Sequence, residues 1–246
     1  MSLEFFVYLA IGSVASGFIN GLAGLGTALF ALGWWLQVMT PVEAVATILV
    51  MSVVSGIQGM VLVWRSIDWK LLGRFLWPAL IGIPVGVQLL SLINATVLTT
   101  LVAFFLIAYG GFFSFRKHLP NLTRPTPVID TSVGFVAGIL GAVAGMSGAL
   151  PTMLCSMRPW PKMKQRAVLQ PFNFIILGLS KLMLALQGGY PQSTLKIIAV
   201  SFPITMIASF AGIWVYKQLN DDQFRRLLIV MMLCSGVIVL IKEYLL

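Results

Sequence analysis

Charged side chains are scarce in this sequence. They make up 9% of its 246 residues, against about 25% in a soluble domain. A water-soluble enzyme and a charged disordered tail are therefore excluded. Histidine occurs once, at His118, and there are only two cysteines, Cys155 and Cys234, both in apolar runs. That excludes a disulfide-stapled secreted domain, and both cysteines read as small core residues. Without a His/Cys/carboxylate cluster no catalytic metal is expected, and nothing calls for another cofactor. Walker A, HExxH and GxSxG patterns are missing. ATP hydrolysis, intramembrane proteolysis and esterase chemistry thus lack their parts, and no enzymatic activity is expected. Carboxylates number seven, and none falls deep in an apolar run. This weighs against a carboxylate proton relay or a carboxylate-bound sodium ion.

What is present is apolar. Hydrophobic residues make up 59% and mean hydropathy is +0.98. They are gathered into eight long segments, about 5–37, 42–64, 71–92, 96–115, 131–157, 166–187, 194–217 and 223–244. A spanning helix needs ~20 apolar residues, and alternating 10-mers of a β-barrel are missing. The fold class expected is an all-α integral membrane protein. Glu4 precedes Phe5 without a basic stretch, so no cleavable signal peptide is expected. The net charge of +9 is that of basic cytoplasmic loops. Aromatics are not interleaved with the basic residues, which excludes nucleic acid as a partner.

The chain repeats itself. AGLGTAL (23–29) returns as AGMSGAL (144–150), an offset of 121 that also aligns Gly17 with Gly138 and Ala46 with Ala167. Further on the offset is 126, aligning Gly86 with Gly212, Asn94 with Asn220, Leu101 with Leu227 and Gly110 with Gly236. The five extra residues fall near Gly188–Gln192. Two homologous halves, 1–119 and 120–246, are expected in one membrane domain, the usual build of secondary transporters.

Topology follows from charge. If every segment crosses once, the basic residues divide eight against seven, which is no bias at all. Segments 1 and 5 carry the glycine motif within the run, and segment 1 exceeds 30 residues. If each is broken and re-enters on its starting side, the halves are inverted. The division then becomes thirteen against two, Lys196 and Lys242, with Lys181 inside segment 6. The positive-inside rule favours this arrangement, with both termini outside the cytoplasm. Eight plain crossings are the alternative.

The breaks are the first candidate site. Gly24, Leu25, Gly26 and Thr27 precede one short helix; Gly145, Met146, Ser147 and Gly148 precede its mate. A helix starting within the membrane presents unpaired N–H groups and about half a positive charge, which an anion satisfies. Thr27 and Ser147 add hydroxyl donors. The competing reading is close helix packing through small residues. Lys181 is the second candidate, either neutralising an anion or snorkelling to the interface. Polar residues of segments 2 and 6 form a third group: Ser52, Ser55 and Gln58, then Gln170, Asn173 and Ser180. They are equally suited to interhelical hydrogen bonds. Asn20 suits a cap of the first short helix, and Glu43 a cap of segment 2 after Pro41.

SGFINGLAGLGTALFALG (16–33) and AGILGAVAGMSGALPTML (137–154), set in two similar halves, resemble the TauE/SafE sulfite exporter family. The likeness covers essentially the whole chain, although Leu25, Thr27, Met146 and Ser147 interrupt the family's fuller glycine run. The resemblance implies export of sulfite, sulfoacetate or related organosulfonates across a prokaryotic inner membrane. The function expected is a secondary transporter working by alternating access. An anion channel, or a permease for another small anionic metabolite, is the alternative. The partners expected are a small anionic sulfur compound and the lipid bilayer, with a homodimer left open.

Overall fold

The computed structural model describes residues 3–23, 26–115 and 122–220, with Gln223, Leu227, Val230, Met231, Leu233, Cys234, Val237 and Ile241 beyond them; the side chains of Ala23, Gln58, Leu62, Phe113, Phe115 and Lys162 are outside the description. His118 and most of segment 8 therefore lie outside the described residues.

Every regular element among these residues is helical. The order is α1 (Leu3–Ala23), α2 (Thr27–Trp35), α3 (Pro41–Val63), α4 (Trp69–Leu90), α5 (Ala95–Phe115), α6 (Pro127–Ala144), α7 (Ala149–Ser156), α8 (Lys162–Leu186) and α9 (Gln192–Gln218), with a single 3-10 turn at Trp64–Ser66. Segments 1 and 5 each divide at the glycine motif, into α1 with α2 and α6 with α7. Among the described residues, seven helices are long and apolar enough to cross a membrane. The other two, α2 and α7, have nine and eight residues. At ~1.5 Å per residue each covers less than half of a ~30 Å hydrocarbon layer.

Local chemistry sets the helix starts. Thr40 and Glu43 form a capping box on either side of Pro41: the Glu43 N–H donates to Thr40 Oγ1 and the Thr40 N–H to Glu43 Oε2. Glu43 is thus the cap its position suggested, and it also accepts from Ser193 Oγ at 3.1 Å, at the start of α9. Asp68 caps α4 by accepting from the Leu71 N–H at 3.0 Å. The Asn94 carboxamide oxygen does the same for the Val97 N–H at 2.8 Å.

The two most extensive helix–helix contacts are α1 with α9 and α4 with α6. Both approach through glycine. A Cβ on Gly17 would lie 2.4 Å from the Thr205 carbonyl, and one on Gly212 would lie 2.1 Å from the Phe18 carbonyl. In the other pair, Gly138 meets the Ala79 carbonyl at 2.2 Å and Gly86 the Ile139 carbonyl at 2.5 Å. These contacts correspond across the repeat: 17, 18, 205 and 212 stand opposite 138, 139, 79 and 86 at the two offsets of the sequence. Small residues allow this backbone approach, and dispersion then holds the pair without a hydrophobic drive.

The short helices lie back along their partners. Trp35, ending α2, donates its ring N–H to the Leu9 carbonyl at 3.2 Å, and Trp34 packs on Tyr8 with ring centroids 6.1 Å apart. After α7 the Met157 carbonyl accepts from the Leu122 N–H at 2.8 Å, just before α6. Arg158 then reaches Thr126 Oγ1 at 2.8 Å and forms an ion pair with Asp130 in the first turn of α6. Asp130 is fully buried and Arg158 is 5% exposed, so one carboxylate and one loop cation of this sequence are interior groups. Position in the sequence did not show this, because Asp130 falls just outside the apolar run.

The outward faces are apolar. Trp77, Phe104, Ile207, Phe210 and Trp214 are all more than half exposed within helices, as suits side chains in contact with lipid tails. Cys155 is buried, but Cys234 is exposed. The core reading therefore fails for Cys234, because an apolar run contacts lipid as readily as protein.

Candidate functional site

Both helix breaks rest on glycines in the left-handed region, Gly26 at φ 93° and Gly145 at φ 68°. L side chains avoid that region. Space makes the same demand at Gly145, where a Cβ would lie 2.6 Å from Ile48 Cγ2. Gly26 heads α2 without a side-chain cap. The Phe30 N–H bonds back to the Gly26 carbonyl at 3.3 Å, so the N–H groups of Thr27, Ala28 and Leu29 precede the helical ladder. Gly148 heads α7 in the same uncapped way, with the Thr152 N–H bonding the Gly148 carbonyl at 3.0 Å.

The two uncapped starts line one cavity of about 30 Å³, room for a water-sized group or two. Gly26, Thr27, Ala28 and Leu29 come from the first break; Gly145, Met146, Ser147, Gly148 and Ala149 come from the second. Ser52 and Gly56 of α3, Gln170, Asn173, Phe174 and Leu177 of α8, and Asn20 of α1 complete the wall. Ser52 is the middle residue of α3, and Asn173 lies one residue from the middle of α8. The cavity thus sits halfway along two spanning helices.

Hydrogen bonds fix most of its polar groups. Ser147 Oγ donates to Asn173 Oδ1 at 2.9 Å. Gln170 Nε2 donates to the Gly56 carbonyl at 3.2 Å. Asn20 Nδ2 donates to Ser55 Oγ, which itself donates to the Met51 carbonyl at 2.6 Å. Ser52 Oγ is different: it is buried and has no partner among the described residues. The repeat explains why. Ser147 and Asn173 pair in the second half, and their equivalents at offset 121 are Gly26 and Ser52. Glycine has no side chain to offer, so Ser52 faces the cavity with its hydroxyl unused. Among the described residues the walls hold donors and hydroxyls but no carboxylate, and two helix N-termini add positive potential. Such a lining has the chemistry to accept a small anion.

Nine sequence candidates meet here: Gly26, Thr27, Ser52, Gly145, Met146, Ser147, Gly148, Gln170 and Asn173. Gly24, Leu25 and the Gln58 side chain lie outside the described residues. Lys181 is half-exposed on α8, five residues before its end, and is not among the lining residues. Ser180 donates to its own helix, to the Ile176 carbonyl at 2.8 Å. Asn20 does not cap α2, since it lies in the last turn of α1 and bonds across to α3. Sequence reasoning also passed over Gly56, Phe174 and Leu177. Gly56 stands four residues from Ser52, Phe174 four from Gln170 and Leu177 four from Asn173, so helical spacing was the signal available for them.

No curated protein and no solved structure matches the chain. Residues 8–239 match the family model described as Sulfite exporter TauE/SafE. That match spans nearly the whole chain, and the protein, a multi-pass helical membrane protein, belongs to the TauE/SafE sulfite exporter family.

Proposed function

We propose that this chain is a secondary transporter that exports a small sulfur-containing anion, sulfite or a small organosulfonate such as sulfoacetate, by alternating access. The anion binds in the central cavity between the starts of α2 and α7. Family membership supports the substrate class. The observation that carries the site is the convergence of two uncapped helix N-termini and the unpartnered Ser52 hydroxyl on one mid-helix cavity without a carboxylate. Thr27 and Ser147 supply further hydroxyls, and Gln170 and Asn173 supply amides.

The halves, 1–119 and 120–246, are inverted repeats, and α1–α2 and α6–α7 are re-entrant pairs. The return of Trp35 to Leu9 and of Arg158 to Asp130 supports this reading, as does the matched glycine packing of α1 with α9 and α6 with α4. The loops near Arg65, Arg124 and Arg158 face the cytoplasm of a prokaryotic inner membrane and both termini lie outside. In a cavity of about 30 Å³ an organosulfonate does not fit until the surrounding helices separate, which suits a rocking cycle over an open pore. Export of a divalent anion gains ~2.3 kcal/mol per charge per 100 mV from a negative-inside potential, so no coupled ion is required. The partners are the anion and the bilayer.

Thermal stabilisation of the purified protein across sulfite, thiosulfate, sulfoacetate, taurine, isethionate, sulfate and chloride tests the assignment. A ligand at ~100 times its Kd adds about 2.7 kcal/mol. A selective shift with a sulfur anion is expected. Equal shifts with chloride and every other anion would contradict it.

A further inference from the structure

The far end of α7 holds a second concavity. The turn after α7, the segment before α6, and the starts of α4 and α8 enclose a cavity of about 240 Å³. It shares no lining residue with the central cavity. Lys70, Arg74, Arg124, Arg158 and Lys164 all line it. The carboxylate in its wall, Asp68, is engaged as the cap of α4. Counting Asp130 behind Arg158, five cations face two carboxylates, so three positive charges stand uncompensated.

Basic loop residues normally spread into water, where their repulsion is screened. Here four chain segments bring them to one hollow. Arg158 is 5% exposed and is held by Asp130 through Oδ1 alone, by Thr126, and by the face of Trp160, 4.6 Å from the ring centroid. Its Nε is buried without a partner among the described residues. A buried N–H left unused is costly, so the guanidinium in the wall of the hollow keeps unused donor capacity. Lys164 Nζ also lies over the Trp160 ring, 5.1 Å from its centroid.

We propose that this cavity binds a phosphate group. A planar guanidinium with free N–H groups, flanked by lysines acting as point charges, matches phosphate oxygens. Three uncompensated charges exceed what one carboxylate would neutralise. The exposed Trp64 and Trp69, packed edge to face at 6.4 Å beside Lys70, mark the interfacial level of the membrane. The phosphate has two sources at that level, an anionic lipid headgroup or free phosphate.

The test uses the full chain and the variant R124Q/K164Q, two exposed cations without ion pairs among the described residues. One arm titrates inorganic phosphate against the protein in neutral detergent, read by thermal unfolding. The other compares nanodiscs of phosphatidylcholine with and without phosphatidylglycerol. Stabilisation by inorganic phosphate identifies the free anion; stabilisation by phosphatidylglycerol alone identifies the headgroup. In the responding arm the variant binds at least ~10-fold more weakly. Silence in both arms, or equal binding by the variant, overturns the proposal.

Discussion

Ser52 is the most informative single residue of the central cavity. Its hydroxyl is buried without a partner among the described residues, so removing it leaves none of their groups newly unsatisfied. Ser52→Ala should therefore keep or slightly raise the melting temperature. If the hydroxyl donates to a bound anion, the lost hydrogen bond to charge is worth ~1.5–3 kcal/mol, and apparent affinity should fall by ~10-fold or more. Measuring melting temperature and flux on the same preparation separates the two effects. The Arg158–Asp130 pair behaves in the opposite way. Asp130→Leu strands a buried guanidinium and should cost about 3–5 kcal/mol. Asp130→Leu combined with Arg158→Met removes both charges and should recover much of that loss, as a double-mutant cycle by thermal unfolding would show.

At the scale of elements, the helix pairs depend on glycine for backbone approach. Gly212→Ala places a methyl group 2.1 Å from the Phe18 carbonyl, so α1 and α9 must part; a cost of about 1–3 kcal/mol follows. Gly111 in α5 has nothing within 4 Å of its Cβ position, and Gly111→Ala should be neutral or stabilising by up to ~1 kcal/mol. Chemical or thermal unfolding of the two variants makes the comparison. The glycine motifs were legible in the sequence because they recur, and both mark real breaks. Repetition told less about what the small residues do. Gly17 and Gly138 serve packing; Gly26 and Gly145 take the left-handed backbone at the helix breaks. Only the φ angles and the neighbouring carbonyls separate these uses. Asn20 resembled a cap in the sequence because it precedes the break, yet α1 runs three residues past it and turns its amide toward Ser55. The Arg158–Asp130 pair was illegible for a related reason: its partners are 28 residues apart, and their meeting depends on α7 lying back along α6.

At the scale of the whole molecule, charge counting and contact geometry bear on the same topology. Inverted halves place Thr123 and Pro159 on one side of the membrane and Gln37, Asn94 and Gln192 on the other. All five are exposed. Single cysteines at these positions, in a Cys234→Ser background, should divide in that way toward an impermeant thiol reagent applied to one side. Labelling of Thr123→Cys and Pro159→Cys from opposite sides would return the chain to plain crossings. Transport itself is tested most directly by sulfite efflux from proteoliposomes under an imposed membrane potential. Flux through the central cavity should saturate with sulfite, respond to the potential, and show weakened apparent affinity in Ser52→Ala. Efflux that rises linearly with concentration and is indifferent to Ser52→Ala would contradict a binding site there, and with it alternating access.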